Sequence, residues 1–218
     1  MSVGEPIALR GHADLEQVAA ATPFDLRESA EVQFIDRLRA REGAAFDRLV
    51  NERSGDVYAL LYRLTEDAEE ARDLTQETFL RAFQNIDRFR GDADLKTWLY
   101  RIAINQARNR WRWWRRRRRN ETLSIDASQG QNEEPLSAIL RATGLDPEQE
   151  TLAREREAAL RRALMSVSRN FREVLVLRDV EGLSYDEIAL ALDISIGTVK
   201  SRLSRARTEL RRKIESSL

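Results

Sequence analysis

The fold this 218-residue sequence predicts is all-α: two small helical domains joined by a flexible acidic linker. Three observations predict it. Apolar residues recur at helical spacing through most of the chain, and no strand-like alternation rises above noise. A Ser/Gln/Asn/Glu-rich stretch holding Gly130, Pro135 and Gly144 interrupts that pattern over residues 120–146. The net charge of zero also hides three blocks: residues 86–119 carry 12 Lys/Arg against three Asp, residues 120–153 seven Asp/Glu against one Arg, and residues 196–214 seven Lys/Arg against one Glu.

Composition narrows the class. Charged residues make up 34% and hydrophobic ones 42%, which suits a soluble, helix-rich protein rather than a disordered one. No apolar stretch approaches the ~20 residues a bilayer crossing needs, and the N-terminus lacks a signal-peptide apolar core. Without cysteine there is no disulfide and no thiolate metal site, so a cytoplasmic location is expected. The one histidine, His12, falls in the N-terminal stretch. There is no Gly-rich phosphate loop and no nucleophilic Ser or Cys arrangement, so the expectation is a non-enzyme with no catalytic residue, metal, cofactor or small-molecule substrate.

Residues 1–30 show no sustained period and contain Gly4, Pro6, Gly11 and Pro23, so they read as a loose tail. The first domain is expected over residues 31–119. Phe46, Leu49, Val50, Val57, Leu60, Leu61 and Leu64 share one helix face, between Gly43 and Thr65. Asp67, with Glu70 three residues later, starts a second helix that buries Ala68, Ala71, Leu74, Thr78, Phe79 and Ala82. After a short loop a longer helix turns Leu95, Trp98, Leu99, Ile102, Ala103 and Ala107 inward. Its Arg101, Asn105, Arg108 and Arg112 fall on the opposite face at i, i+4, i+7 and i+11. This helix runs into Trp111, Trp113, Trp114 and five consecutive arginines, Arg115 to Arg119. The linker, residues 120–146, has room for one helical turn near residues 136–140.

The second domain is expected over residues 147–218. Asp146 can cap its first helix, with Pro147 at the first position and Gln149 closing the box. Leu152, Ala159, Leu160, Ala163 and Leu164 form that helix's core face. The next helix, from about Ser168, holds Phe171, Val174, Leu175 and Val180 and stops at Gly182. Then comes a helix-turn-helix. Ser184 and Glu187 make a capping box, Ile188, Ala189 and Leu192 face inward, and Asp193 sits where the tight turn wants a left-handed residue. The following helix buries Val199 and Leu203 and shows Lys200, Ser201, Ser204, Arg205 and Thr208 on its other side. A buried stripe with donors opposite it is what a major-groove helix needs. The two basic blocks attract phosphates through counterion release, which points to DNA. The helix-turn-helix by itself fits a repressor or a response regulator equally well.

The first domain separates these. Asp67-Ala68-Glu69-Glu70-Ala71-Arg72-Asp73-Leu74-Thr75-Gln76-Glu77-Thr78-Phe79-Leu80-Arg81-Ala82-Phe83 resembles the core segment of region 2 of the sigma-70 family. Phe89-Arg90-Gly91-Asp92, with Thr97-Trp98-Leu99-Tyr100-Arg101-Ile102-Ala103-Ile104-Asn105, resembles its promoter-melting and −10-reading segments. Arg178-Asp179-Val180-Glu181-Gly182-Leu183-Ser184-Tyr185-Asp186-Glu187-Ile188-Ala189 is similar to region 4. Regions 2 and 4 alone, over residues 31–214, are the arrangement of the extracytoplasmic-function (ECF) class. The resemblance implies a sigma factor that binds core RNA polymerase and directs promoter-specific initiation. By the same resemblance Asp73, Gln76 and Glu77 match the face that docks on polymerase. Phe89, Gly91, Asp92, Ala93, Asp94 and Lys96 match the pocket for a base flipped from the −10 element, where Trp98 is expected in the core. Asn105, Arg108 and Arg112 match the −10 duplex-side contacts, and Thr198, Lys200, Ser201, Ser204 and Arg205 the −35 readers. An anti-sigma factor, often membrane-bound, is the further partner implied. Two features depart from the family pattern: Val167-Ser168 stands where Leu-Pro is common, and the Trp/Arg run is richer than the pattern requires.

Overall fold

A computed structural model describes residues 23–91, 93–120 and 147–215, and side chains within residues 30–91, 93–117 and 156–215. Asp92, His12 and the rest of residues 1–22, and the linker with its expected turn and the Asp146 cap, lie outside the described residues. All regular elements among those described are helical. By internal contacts the chain divides into two compact units, residues 1–50 and 51–218.

In the first unit α1 (Pro23–Arg39) begins inside the stretch expected to be a loose tail. A proline at the first helical position is pre-set for the helix and has no N–H to orphan. Arg41, at φ 59°, ends the turn after α1, and Arg37 pairs with Glu42 at 2.7 Å. The helix α2 (Gly43–Thr65) follows. Leu38, Ala45, Phe46 and Leu49 are buried, whereas Val50, expected inward, is 38% exposed.

In the second unit Val57, Leu60 and Leu61 of α2 are buried as their spacing predicts. Asp67 accepts from the Glu70 N–H at 2.9 Å and starts α3 (Ala68–Asn85). Ala71, Leu74, Thr78, Phe79 and Ala82 are buried there, with the Thr75 and Thr78 hydroxyls donating back to the Ala71 and Leu74 carbonyls at 2.7 Å each. A 3-10 turn (Ile86–Arg88) and a loop lead to α4 (Leu95–Asn120), which packs along α3. The core face of α4 differs from expectation. Leu95, Leu99, Ala103 and Ala107 are buried, but so are Tyr100 and Ile104, while Trp98 and Ile102 are half-exposed. The reason lies outside the first domain: α4 also packs against a helix of the second one, and that contact covers its Tyr100 side.

That second domain comprises α5 (Pro147–Ser166), α6 (Arg169–Leu175), α7 (Tyr185–Leu192) and α8 (Ile196–Glu215). Between α6 and α7 the helix widens into a π turn (Val176–Val180) and stops at Gly182, φ +74°. Two residues expected in the core, Leu160 and Val180, are 50% and 51% exposed. A π turn adds a residue to the helical repeat and turns the residues that follow away from the stripe set before it, which moves Val180 outward. On the same expected face Ala163 is buried and Leu164 is half-exposed.

The corner between α5 and α6, where Val167-Ser168 replaces the expected Leu-Pro, is held by Arg172. Its buried guanidinium donates to the carbonyls of Leu164 (3.2 Å), Met165 (2.5 Å) and Val167 (3.2 Å), and to that of Leu64 in α2 (2.9 Å). These are carbonyls that a helix end leaves unpaired. Burial lowers the Arg172 pKa, with the Glu66 carboxylate opposing. Replacing it with lysine, a point donor with three N–H groups and no planar fork, strands at least one of the four carbonyls. The expected cost is about 1–3 kcal/mol, read as a lower urea midpoint at unchanged helicity; an unchanged midpoint would show that the corner holds without the fork.

Candidate nucleic-acid interface

The helix-turn-helix forms as its residues dictate. The Ser184 hydroxyl accepts from the Glu187 N–H at 3.2 Å, and the Glu187 carboxylate accepts from the Ser184 N–H at 2.7 Å. Asp193 sits at φ 55°, ψ 53°. Left-handed backbone strains most L-residues but is tolerated by aspartate. Ser195 caps α8, accepting from the Thr198 N–H at 3.2 Å. Val199, Leu203 and Ala206 anchor α8, which leaves Lys200, Ser201, Ser204 and Arg205 exposed in one patch. Two hydroxyls near the start of α8 are already engaged: Thr198 with Ser195 at 2.8 Å, and Ser201 with the Thr198 carbonyl at 3.0 Å. In α7 Ala191 is buried, whereas Ala189, expected inward, is half-exposed.

At the start of α4 a cleft of about 700 Å³ opens between Phe89, Gly91, Ala93, Trp98 and Asn105. Phe89 is buried and meets Trp98 edge to face, with centroids 5.4 Å apart. It supports the indole from beneath, and the half-exposed Trp98, expected in the core, becomes the cleft's aromatic wall. Gly91 turns the loop at φ +80°. Arg88, Arg90 and Arg101 add positive charge to the lining; their signal in the sequence was their place beside Phe89 and Trp98. Leu190 of α7 also lines the cleft, and no sequence pattern announced it.

Not every expected −10 residue is free to face this cleft. Asp94 caps α4, its carboxylate accepting from the Thr97 N–H at 2.6 Å. Lys96 lies 3.5 Å from Glu181 of the second domain. Arg108 donates to both carboxylate oxygens of Glu173 (3.1 and 2.5 Å) and to the Leu192 carbonyl (3.2 Å). Asn105 and Arg112 are exposed. Spacing places Arg108 on the polar face correctly; it has no means of showing that a carboxylate 65 residues further along takes it.

On α3 Asp73 and Gln76 are exposed and Glu77 is half-exposed, paired with Arg81 at 2.7 Å. One turn earlier, burial first and the Asp67 carboxylate second raise the Glu70 pKa above the usual carboxylate range. At the far end of α4 Trp111, Trp113 and Trp114 are each nearly half exposed. Arg115 lies over Trp111 and Arg117 over Trp113, each 5.1 Å from the ring centre. The indole faces thus hold both guanidiniums close to α4.

These parts define the class: a two-domain DNA-binding protein, all-helical among the described residues, with a helix-turn-helix and an aromatic, basic cleft. Residues 49–119 match sigma-70 region 2, and residues 157–210 match sigma-70 region 4. The chain is 34% identical over 194 residues to the RNA polymerase sigma-H factor of Pseudomonas aeruginosa, spanning 88% of this chain and 98% of that protein. It is 34% identical over 181 residues to the ECF RNA polymerase sigma-E factor of Escherichia coli K12, spanning 83% and 92%. Among solved structures it resembles the sigma factor RpoE of Bartonella quintana, crystallised with the anti-sigma factor NepR (TM-score 0.61, 26% identity, 78% and 96% covered). It shares its fold with CnrH, solved with the cytosolic domain of CnrY (TM-score 0.59, 22% identity, 86% and 98% covered). The chain belongs to the sigma-70 family of RNA polymerase sigma factors, within the ECF class. That is a family of transcription initiation factors, not of enzymes. No helix among the described residues is long and apolar enough to cross a membrane.

A buried phenol marks the junction between the two domains. The Tyr100 hydroxyl donates to Glu181 at 2.5 Å. Burial first, then the bond and charge of Glu181, push its pKa far above the usual phenol value. A folded-state pKa above the unfolded one means this stabilisation is complete below about pH 10 and is lost as pH rises beyond it. In an alkaline titration at 295 nm, the wild type minus Tyr100→Phe difference should show no ionisation of this phenol until the protein unfolds. Ionisation near pH 10 in the folded protein would exclude the bond.

Proposed function

We propose that the chain works as a two-point promoter reader on polymerase. Residues 31–119 serve as the polymerase-binding and −10 domain, residues 120–146 as linker and residues 147–218 as the −35 domain. Thr198, Lys200, Ser201, Ser204 and Arg205 read the −35 duplex; Phe89, Gly91, Asp92, Ala93 and Lys96 serve the flipped −10 base; and Asn105, Arg108 and Arg112 contact the duplex side. Asp94 contributes by fixing the start of α4. Asp73, Gln76 and Glu77 dock on polymerase.

The observation that supports this reading best is the cleft itself. Flipping a base costs a few kcal/mol, and a cleft walled by Trp98, floored by a buried Phe89 and rimmed by arginines recovers it by stacking and phosphate attraction. The ordered guanidiniums at Arg115 and Arg117 continue the basic face along α4 and supply further phosphate contact. The same reading gives the chain no catalytic activity and a cytoplasmic location, at the nucleoid when active. An anti-sigma factor is its natural inhibitor and could hold it at the membrane, since the structural relatives RpoE and CnrH were each solved with a second protein.

Run-off transcription by core polymerase with and without the chain tests the reading as a whole; no promoter-dependent product would sink it. Asp73→Lys with Glu77→Lys should weaken core binding by about 2–5 kcal/mol at intact helicity, measured by co-purification. Arg205→Ala should relax preference at one −35 position by ~1–3 kcal/mol if it meets a base edge. An equal loss on every −35 variant would instead make it a phosphate contact.

A further inference from the structure

The far end of α4 is strongly basic and aromatic, and no side of it is buried. Residues 110–119 hold three of the chain's four tryptophans and seven arginines without one acid. Every residue from Trp111 to Arg117 is exposed, about two turns of helix. A helix that meets only water is ordinarily polar all round. This one keeps three indoles at 44–46% exposure, a large apolar area that the fold itself leaves uncovered.

We propose that this helix end docks on a bilayer bearing anionic phospholipid, with the indoles at the headgroup boundary and the arginines on lipid phosphates. Three observations carry it. The first is charge: a cluster of four to eight basic residues on a helix draws an anionic bilayer, each residue adding to the attraction. The second is the indoles. Stable attachment to a membrane surface takes two signals rather than one, and tryptophan favours the membrane–water boundary because its ring is apolar and its N–H polar. The third is ring geometry, which separates lipid from nucleic acid. Arg115 lies over Trp111 and Arg117 over Trp113, each at 5.1 Å; Arg169 lies 5.2 Å from the Trp111 ring, and Trp114 meets Trp113 edge to face at 4.9 Å. A base therefore reaches at least one face of Trp111 and of Trp113 only by displacing a guanidinium, which is unlike an open stacking platform. Duplex DNA takes the arginines but offers no apolar phase to the indoles. A bilayer boundary takes both, and the cation–π contact strengthens as the pair leaves water. The proposal goes beyond the promoter reading and does not depend on it: the same guanidiniums meet lipid phosphate in the free chain and DNA phosphate on a promoter.

Vesicle flotation of the full-length chain tests this. The probes are vesicles of phosphatidylcholine alone and of phosphatidylcholine with phosphatidylglycerol in equal parts. The parent should float with the mixed vesicles and not with the neutral ones. Its tryptophan emission should shift to the blue and be quenched by phosphatidylglycerol brominated in the acyl chain. Trp111→Ala, Trp113→Ala and Trp114→Ala together keep every arginine and should lower partitioning at least about tenfold, at unchanged helicity by circular dichroism. Arg115→Gln, Arg116→Gln and Arg117→Gln together should lower it on the order of a hundredfold. The site is refuted if the parent stays unbound on mixed vesicles. It is refuted equally if the indole-free variant partitions like the parent, since charge alone then explains the adsorption. A parent that ignores vesicles but holds a mixed-sequence duplex of about 20 base pairs through the same tryptophans overturns the proposal and assigns the face to nucleic acid. Run-off transcription by the parent holoenzyme reports separately on the promoter reading, so the two can fail independently.

Discussion

Burying a carboxylate is unfavourable unless charge and hydrogen bonds surround it, and the arrangement of the second unit depends on how Glu173 meets that constraint. Its side chain is 1% exposed, so both oxygens must be satisfied by protein. One helix cannot do this alone: Arg169, four residues back, supplies one bond, and Arg108 from α4 supplies two. The need to pair one buried charge therefore draws α4 and the helix-turn-helix domain together. Once Arg108 is in place, it also satisfies the carbonyl of Leu192 at the end of α7. Glu181 repeats the pattern at the other end of the contact, with Arg63, Lys96 and Tyr100 gathered around it.

The same physics explains why the interface carries ion pairs beside its apolar contacts. A purely apolar seam between two domains offers nothing that phosphate can replace. Ion pairs can be exchanged for phosphate or for another protein's charges. Arg172 fits this scheme as well. It closes the α5–α6 corner from within and spends one N–H on the Leu64 carbonyl, so the domain's own fold and its docking share a residue.

Much of this molecule was legible in its residues because the signals are local. Capping of α3 by Asp67, the Ser184/Glu187 box and the left-handed Asp193 are decided by groups within three or four positions of each other. The exposed patch of Lys200, Ser201, Ser204 and Arg205 follows from the spacing of Val199 and Leu203, since burying one side of a helix fixes the other. Assignment to the family rested on the same kind of short-range pattern.

Long-range contact decided the rest. Tyr100 and Ile104 are buried because α7 covers a second side of α4, and a helical period read within one domain predicts only one buried side. Trp98 stands in the cleft wall instead of the expected core, and Val180 was turned outward by a π turn that no spacing announces. Asp94, Lys96 and Arg108 are the right residue types for a DNA contact, yet a helix N-terminus and two carboxylates from elsewhere occupy them. Sequence by itself determined which helices form and which faces are polar, because those depend on neighbours along the chain. Only the tertiary structure decided which polar groups are free, because an ion pair between positions 108 and 173 has no period for a sequence to display.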